Sequence, residues 1–172
     1  MKSINKHPRL LIPLGLLAGL LLGIIARAWM RWVSTDPEFS WGGSLGVVII
    51  FGIFGMIQAI VFSYTQKPHQ RSRKRVVRAI GVFFSLPLFM AAGAVMFPTV
   101  LTASLALWRA KWKKWIRVFL ATVSATFTVL VAKSEIVDDF GWSIATIGRL
   151  LLFGAIYSLI IRALRSTVTA TN

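Results

Sequence analysis

The 172-residue sequence contains no cysteine and only two histidines, His7 and His69. The first absence removes disulfides, thiol nucleophiles and cysteine-bound metal, and two histidines far apart in basic tracts make no metal centre. Acids are almost as scarce: Asp36, Glu38, Glu135, Asp138 and Asp139 stand against 20 Lys and Arg, for a net charge of +15. None of the five lies within an apolar segment, so the carboxylate relay of a proton- or sodium-coupled transporter is missing. No Gly-rich loop opens a helix with a phosphate-binding lysine. Ser85, Thr99, Thr102, Thr122, Ser124 and Thr126 have no neighbouring base and read as helix-packing or backbone-bonding residues. No catalytic residue, metal or cofactor is expected.

What is abundant is apolar surface. At 56% hydrophobic residues the chain carries far more of it than a soluble core of this size needs. A bilayer core about 30 Å thick needs roughly 20 apolar residues per helix. Residues Leu10 to Ala28, Leu45 to Tyr64, Ile116 to Ala132 with its flanks, and Trp142 to Ile161 meet that length. Residues Ala79 to Trp108 are apolar too, but Pro87, Gly93 and Pro98 interrupt them, which suits a broken segment or a re-entrant pair of short helices. The expected fold is therefore all-α: one polytopic helical membrane domain over residues 1–172, with four clear transmembrane helices and a Pro/Gly-broken centre.

Charge orients such a chain. If the central segment returns to the side it left, sixteen of the twenty basic residues fall on one side, from Lys2 through Lys67 to Arg78 and Arg109 to Arg117 to Arg165, and all five acids on the other. The positive-inside rule favours this arrangement, with both termini cytoplasmic, over a single crossing that would split the basic clusters. "KPHQRSRKR" is then a topology signal, and no nucleic-acid partner is expected. "MKSINKHPR", a leucine-rich run and "ARA" also have the form of a secretory signal cleaved before Trp29. Against cleavage, Gly15, Gly19 and Gly23 stand four apart on one helix face, a pattern that lets membrane helices pack closely, within the chain or between two copies.

The polar interruption "ARAWMRWVSTDPEFSWGGSLG" at residues 26–46 is the main functional clue. Arg27 and Arg31 share a helix face, Trp29, Trp32 and Trp41 suit the membrane interface, and Thr35 with Glu38 fits a capping box followed by a flexible "WGGSLG" joint. "EFSWG" is echoed by "DFGWS" at residues 139–143, and Phe51-Gly52 by Phe153-Gly154, which raises a weak parallel repeat of 8–64 and 115–165. Arg149 lies about 10 Å into the last helix at the usual helical rise. It is a site candidate by default. The expected partners are Asp36, Glu38, Asp138 or Asp139, in a clasp joining the first and last hairpins. Alternatively Arg27, Arg31 and Arg149 hold an anion or lipid headgroup, with Trp29, Trp41 and Trp142 around them. Trp108, Trp112 and Trp115, spaced four and three apart among Lys111, Lys113 and Lys114, read as an amphipathic face against anionic lipid.

The phrase R-x-W-M-R followed by D-P-E-F-x-W-x-G resembles one found in a family of small uncharacterised bacterial integral-membrane proteins. Arg27, Trp29, Met30, Arg31, Asp36, Pro37, Glu38, Phe39 and Trp41 carry the resemblance. It implies a bacterial cytoplasmic membrane and no activity. The sequence thus points to a non-enzymatic accessory, assembly or lipid/anion-binding subunit, with anionic lipids and a membrane-protein partner or second copy as the partners. A small-solute permease or channel is the alternative, and would show a polar path to the cytoplasmic face.

Overall fold

The computed structural model describes residues 8–35, 40–66, 71–91 and 96–168. Among them the chain is helical with no strand: α1 Pro8–Val33, α2 Trp41–Gln66, α3 Arg71–Phe83, α4 Leu86–Ala91, α5 Met96–Trp108, α6 Lys114–Ala132, a π-helical turn Lys133–Val137, α7 Asp138–Phe140, α8 Ile144–Ala163 and α9 Arg165–Val168. Four helical stretches are long and apolar enough to cross a membrane: Leu10–Val33, Trp41–Thr65, Lys114–Phe140 and Ile144–Ala163. The protein is an all-α polytopic membrane protein.

Helix starts follow local chemistry. Ser40 caps α2, its Oγ accepting from the Gly43 amide at 3.0 Å, so "WGGSLG" is the first turn and a half of a helix and not the joint its glycines suggest. Ser143 caps α8 likewise, accepting from the Thr146 amide at 3.1 Å, after Gly141 has turned the chain at a φ of 63° that a side chain would resist. The two similar phrases are thus both capping phrases. Their hairpins are built differently, however. Gly52 faces Leu20 of α1, whereas a Cβ on Gly154 would meet nothing.

The tightest packing joins α1 to α2. A Cβ on Gly15 would lie 2.5 Å from that of Ala59, one on Gly23 would lie 2.9 Å from Phe51 Cβ, and one on Gly19 would strike the Phe51 carbonyl. Gly55 of α2 answers them, facing Gly15 and Gly19. The glycine stripe therefore serves an intramolecular antiparallel pair, in which backbones approach because neither helix has side chains there.

The central segment breaks at its prolines. Pro87 lacks the amide that would bond the Phe83 carbonyl and its ring crowds that carbonyl, so α3 stops at Phe83 and Pro87 sits in the first turn of α4. Pro98 similarly lies in the first turn of α5. Gly93 lies outside the described residues. Ser85, in the turn, donates to the Gly81 carbonyl at 2.6 Å and accepts from Gln58 Nε2 at 3.1 Å, and the Gln58 side-chain Oε1 accepts from the Thr167 hydroxyl at 2.5 Å. This buried polar knot ties α2, the α3–α4 turn and α9 together. At the other end of the segment, Trp108 Nε1 donates to the Ile161 carbonyl at 3.2 Å and Arg117 Nε to the Ala106 carbonyl at 2.9 Å. α5 therefore ends beside the start of α6 and the close of α8, on the side from which α3 entered. The core gathers Ala26, Phe51, Phe54, Leu88, Val100 and Ile156 from five helices around this re-entrant pair.

Candidate functional site

Arg149 stands at the end of the bundle where α1 and α7 finish and α8 begins. Its Nε donates to the Trp32 carbonyl at 3.1 Å, and its guanidinium carbon lies 3.7 Å from the Phe140 ring centroid and 5.5 Å from that of Trp32. The cation is held between two aromatic faces with a helix-end carbonyl as acceptor. Three elements position it. Trp32 is in the last turn of α1, where carbonyls have no intrahelical partner. Gly148 leaves room for its indole, since a Cβ there would lie 3.2 Å from the Trp32 ring. The π turn, in which the Asp138 amide reaches back to the Lys133 carbonyl, buries Ile136 and brings Phe140 onto Arg149.

Trp29 completes the junction by donating from Nε1 to the Arg149 carbonyl at 3.0 Å and stacking on Phe153 with centroids 5.3 Å apart. Phe153 stacks in turn on Tyr157 at 6.1 Å. The Tyr157 hydroxyl shares a hydrogen bond with Ser124 Oγ at 2.9 Å and accepts from Thr128 at 3.3 Å, while Ser124 donates to the Thr99 carbonyl at 2.8 Å. An aromatic column thus runs inward from Arg149 and ends on hydroxyls that link α5, α6 and α8.

The expected carboxylate partners are not what the described residues supply. Asp138 and Asp139 are exposed on α7 and neither pairs with Arg149, because the π turn directs Phe140 to the guanidinium. Asp36 and Glu38 lie outside the described residues. Arg27 turns to α2 and donates to Ser44 Oγ at 3.0 Å; Arg31 is exposed. Trp41 and Trp142, 73% and 79% exposed, project outward and form a rim instead of lining the junction. Phe140, Gly148 and Phe153 are the members that sequence reasoning left out of the cluster, and Trp32, read there only as an interface residue, joins them. Phe153 was within reach of it, lying four residues from Arg149 on the same helix face.

At the opposite, basic end the reading of one aromatic helix face needs correction. Trp108 closes α5, residues 109–113 form a turn in which the Trp112 amide donates to the Arg109 carbonyl at 3.0 Å, and Trp115 begins the exposed side of α6. The three indoles therefore point to different surroundings. Trp108 faces the bundle beneath the Arg165 guanidinium, 5.0 Å from its ring centroid, and Trp112 carries Arg109 at 5.5 Å. Lys111, Lys113 and Lys114 are exposed around them. Arg78, on α3 close to Arg109, is held below the usual arginine range, first by burial and then by the Arg109 charge.

Compared with known proteins, the chain matches no family model, no curated protein and no solved structure, so geometry alone carries the functional reading.

Proposed function

We propose that this chain is a non-enzymatic accessory or assembly protein of a bacterial cytoplasmic membrane, with its basic end and both termini in the cytoplasm, that binds lipid, anion or a membrane partner. The observation that supports it is the Trp29–Phe153–Tyr157 column beneath Arg149, whose rings stack between α1 and α8 where a solute path between the first and last hairpins would need polar lining. Arg149 itself is occupied by Trp32 and Phe140. Partner recognition at the outer face then falls to the exposed rim of Trp41, Trp142, Asp138, Asp139 and Arg31. The runner-up, a small-solute permease, has in its favour the hydroxyl cluster of Ser124, Thr128 and Tyr157 between α5, α6 and α8. Reconstitution separates the two. Sealed vesicles carrying the protein should leak ions and small solutes no faster than empty ones, and mild solubilisation of native membranes should recover it in a complex larger than the chain with its detergent. Solute flux that Tyr157→Phe abolishes would reverse the choice.

A further inference from the structure

The two limbs of the re-entrant segment end in a pair of arginines whose Nε donors find no acceptor among the described residues. Arg78 Nε and Arg109 Nε are both buried, and among the described residues neither has a hydrogen-bond acceptor. A buried guanidinium nitrogen without an acceptor is costly, and two such cations near each other raise that cost. Nor do the described acids supply the missing charge: Glu135, Asp138 and Asp139 belong to the far end of the bundle, and Asp36 and Glu38 lie outside the described residues. The Arg109 guanidinium is nevertheless oriented, since it lies over Trp112 while its backbone amide is fixed to the Leu105 carbonyl at 3.1 Å. A guanidinium oriented over Trp112, a second close by, a buried Nε donor on each and no described acid at this end describe a receptor for an external anion with several acceptor oxygens.

We propose that Arg78 and Arg109 form a binding site for a phosphate group at the basic end of the bundle, between α3 and the α5–α6 turn. The site deepens the lipid- and anion-binding part of the function proposed above and lies at the opposite end from Arg149. A phosphate there takes a hydrogen bond from each guanidinium and neutralises the pair. It also fixes the separation of the two limbs, both of which pack against α9. The phosphate can belong to an anionic lipid headgroup entering from the surrounding leaflet or to a soluble phosphorylated ion.

The test uses the full chain in detergent, washed and then offered phosphatidylglycerol, phosphatidylcholine or inorganic phosphate, with retained lipid read by native mass spectrometry and melting temperature in parallel. The wild type should retain phosphatidylglycerol through a wash that strips phosphatidylcholine. Arg78→Gln with Arg109→Gln should weaken retention by on the order of tenfold or more, the loss expected when a charged pairing is removed. The charge-matched control, Lys133→Gln with Arg162→Gln at two exposed positions, should retain lipid as the wild type does. Displacement of phosphatidylglycerol by millimolar phosphate, with an equal rise in melting temperature, would assign the site to a soluble ion; resistance to it would assign the site to lipid. Equal retention by the Arg78/Arg109 double variant and the control double variant, or no preference of the wild type for either phosphate source, would overturn the proposal. If the glutamine pair does not fold, Arg78→Lys with Arg109→Lys replaces it: weakened retention supports the site and wild-type retention overturns it. Vesicle flux bears only on the accessory reading, so the two can fail separately.

Discussion

Among the described residues Arg149 is held by aromatic rings and a helix-end carbonyl, with no carboxylate in contact. Rings supply negative faces, and the last carbonyls of a helix supply acceptors that would otherwise need a cap. Replacing Arg149 by Ala should cost about 1–3 kcal/mol, the range for a charged hydrogen bond with its cation–π contacts. Double-mutant cycles in a reversible detergent-unfolding assay give the partner. Arg149→Ala with Trp32→Leu should be non-additive by about 0.5 kcal/mol or more, whereas Arg149→Ala with Asp138→Asn or Asp139→Asn should add within about 0.5 kcal/mol. Coupling to either acid with none to Trp32 would favour the carboxylate clasp. The position of Arg149 was legible in the sequence because a charge inside an apolar run stands out. Its partners were not, because Phe140 reaches it only through a π turn, which inserts one residue into the helical register and leaves no compositional trace.

At the level of elements, the α1–α2 pair rests on close backbone contact, and two glycines with opposite surroundings measure it. Gly19→Ala drives a methyl into the Phe51 carbonyl and the Gly52 Cα, so the helices must part, at a cost of about 1–3 kcal/mol. Gly154→Ala places its methyl in open space and should be neutral or stabilise by about 0.5–1 kcal/mol through helix propensity alone. Melting temperatures of the two variants should move in different directions, and an unchanged value for Gly19→Ala would show that the pair relaxes freely. The stripe of Gly15, Gly19 and Gly23 was readable from its spacing. Its counterpart was not, because Gly52 and Gly55 stand three apart and Gly55 matters only once the antiparallel register is known. The four long spans were legible from length, whereas the Trp108–Trp112–Trp115 face failed because periodicity cannot see a turn at residues 109–113 that carries helix-compatible residues.

Across the whole molecule, the return of the α3–α5 segment collects Arg78, Arg109, Lys111, Lys113, Lys114, Arg117, Arg162 and Arg165 at one end. The absence of cysteine makes the orientation directly measurable, because single cysteines can be placed on a background without thiols. In intact cells a membrane-impermeant maleimide should label Ser40→Cys and Trp142→Cys and leave Lys113→Cys unlabelled until the membrane is opened. The reverse pattern would invert the molecule and place the phosphate site outside. The return also gives the protein an uneven cross-section. α5, with 13 residues, is about 20 Å long against about 39 Å for the 26 residues of α1, so α3 and α5 add their girth at the basic end only. In a bilayer a short α5 beside full-length helices should displace more lipid from one leaflet than from the other, and the acyl chains around it should tilt and splay to fill the volume that the short helices leave.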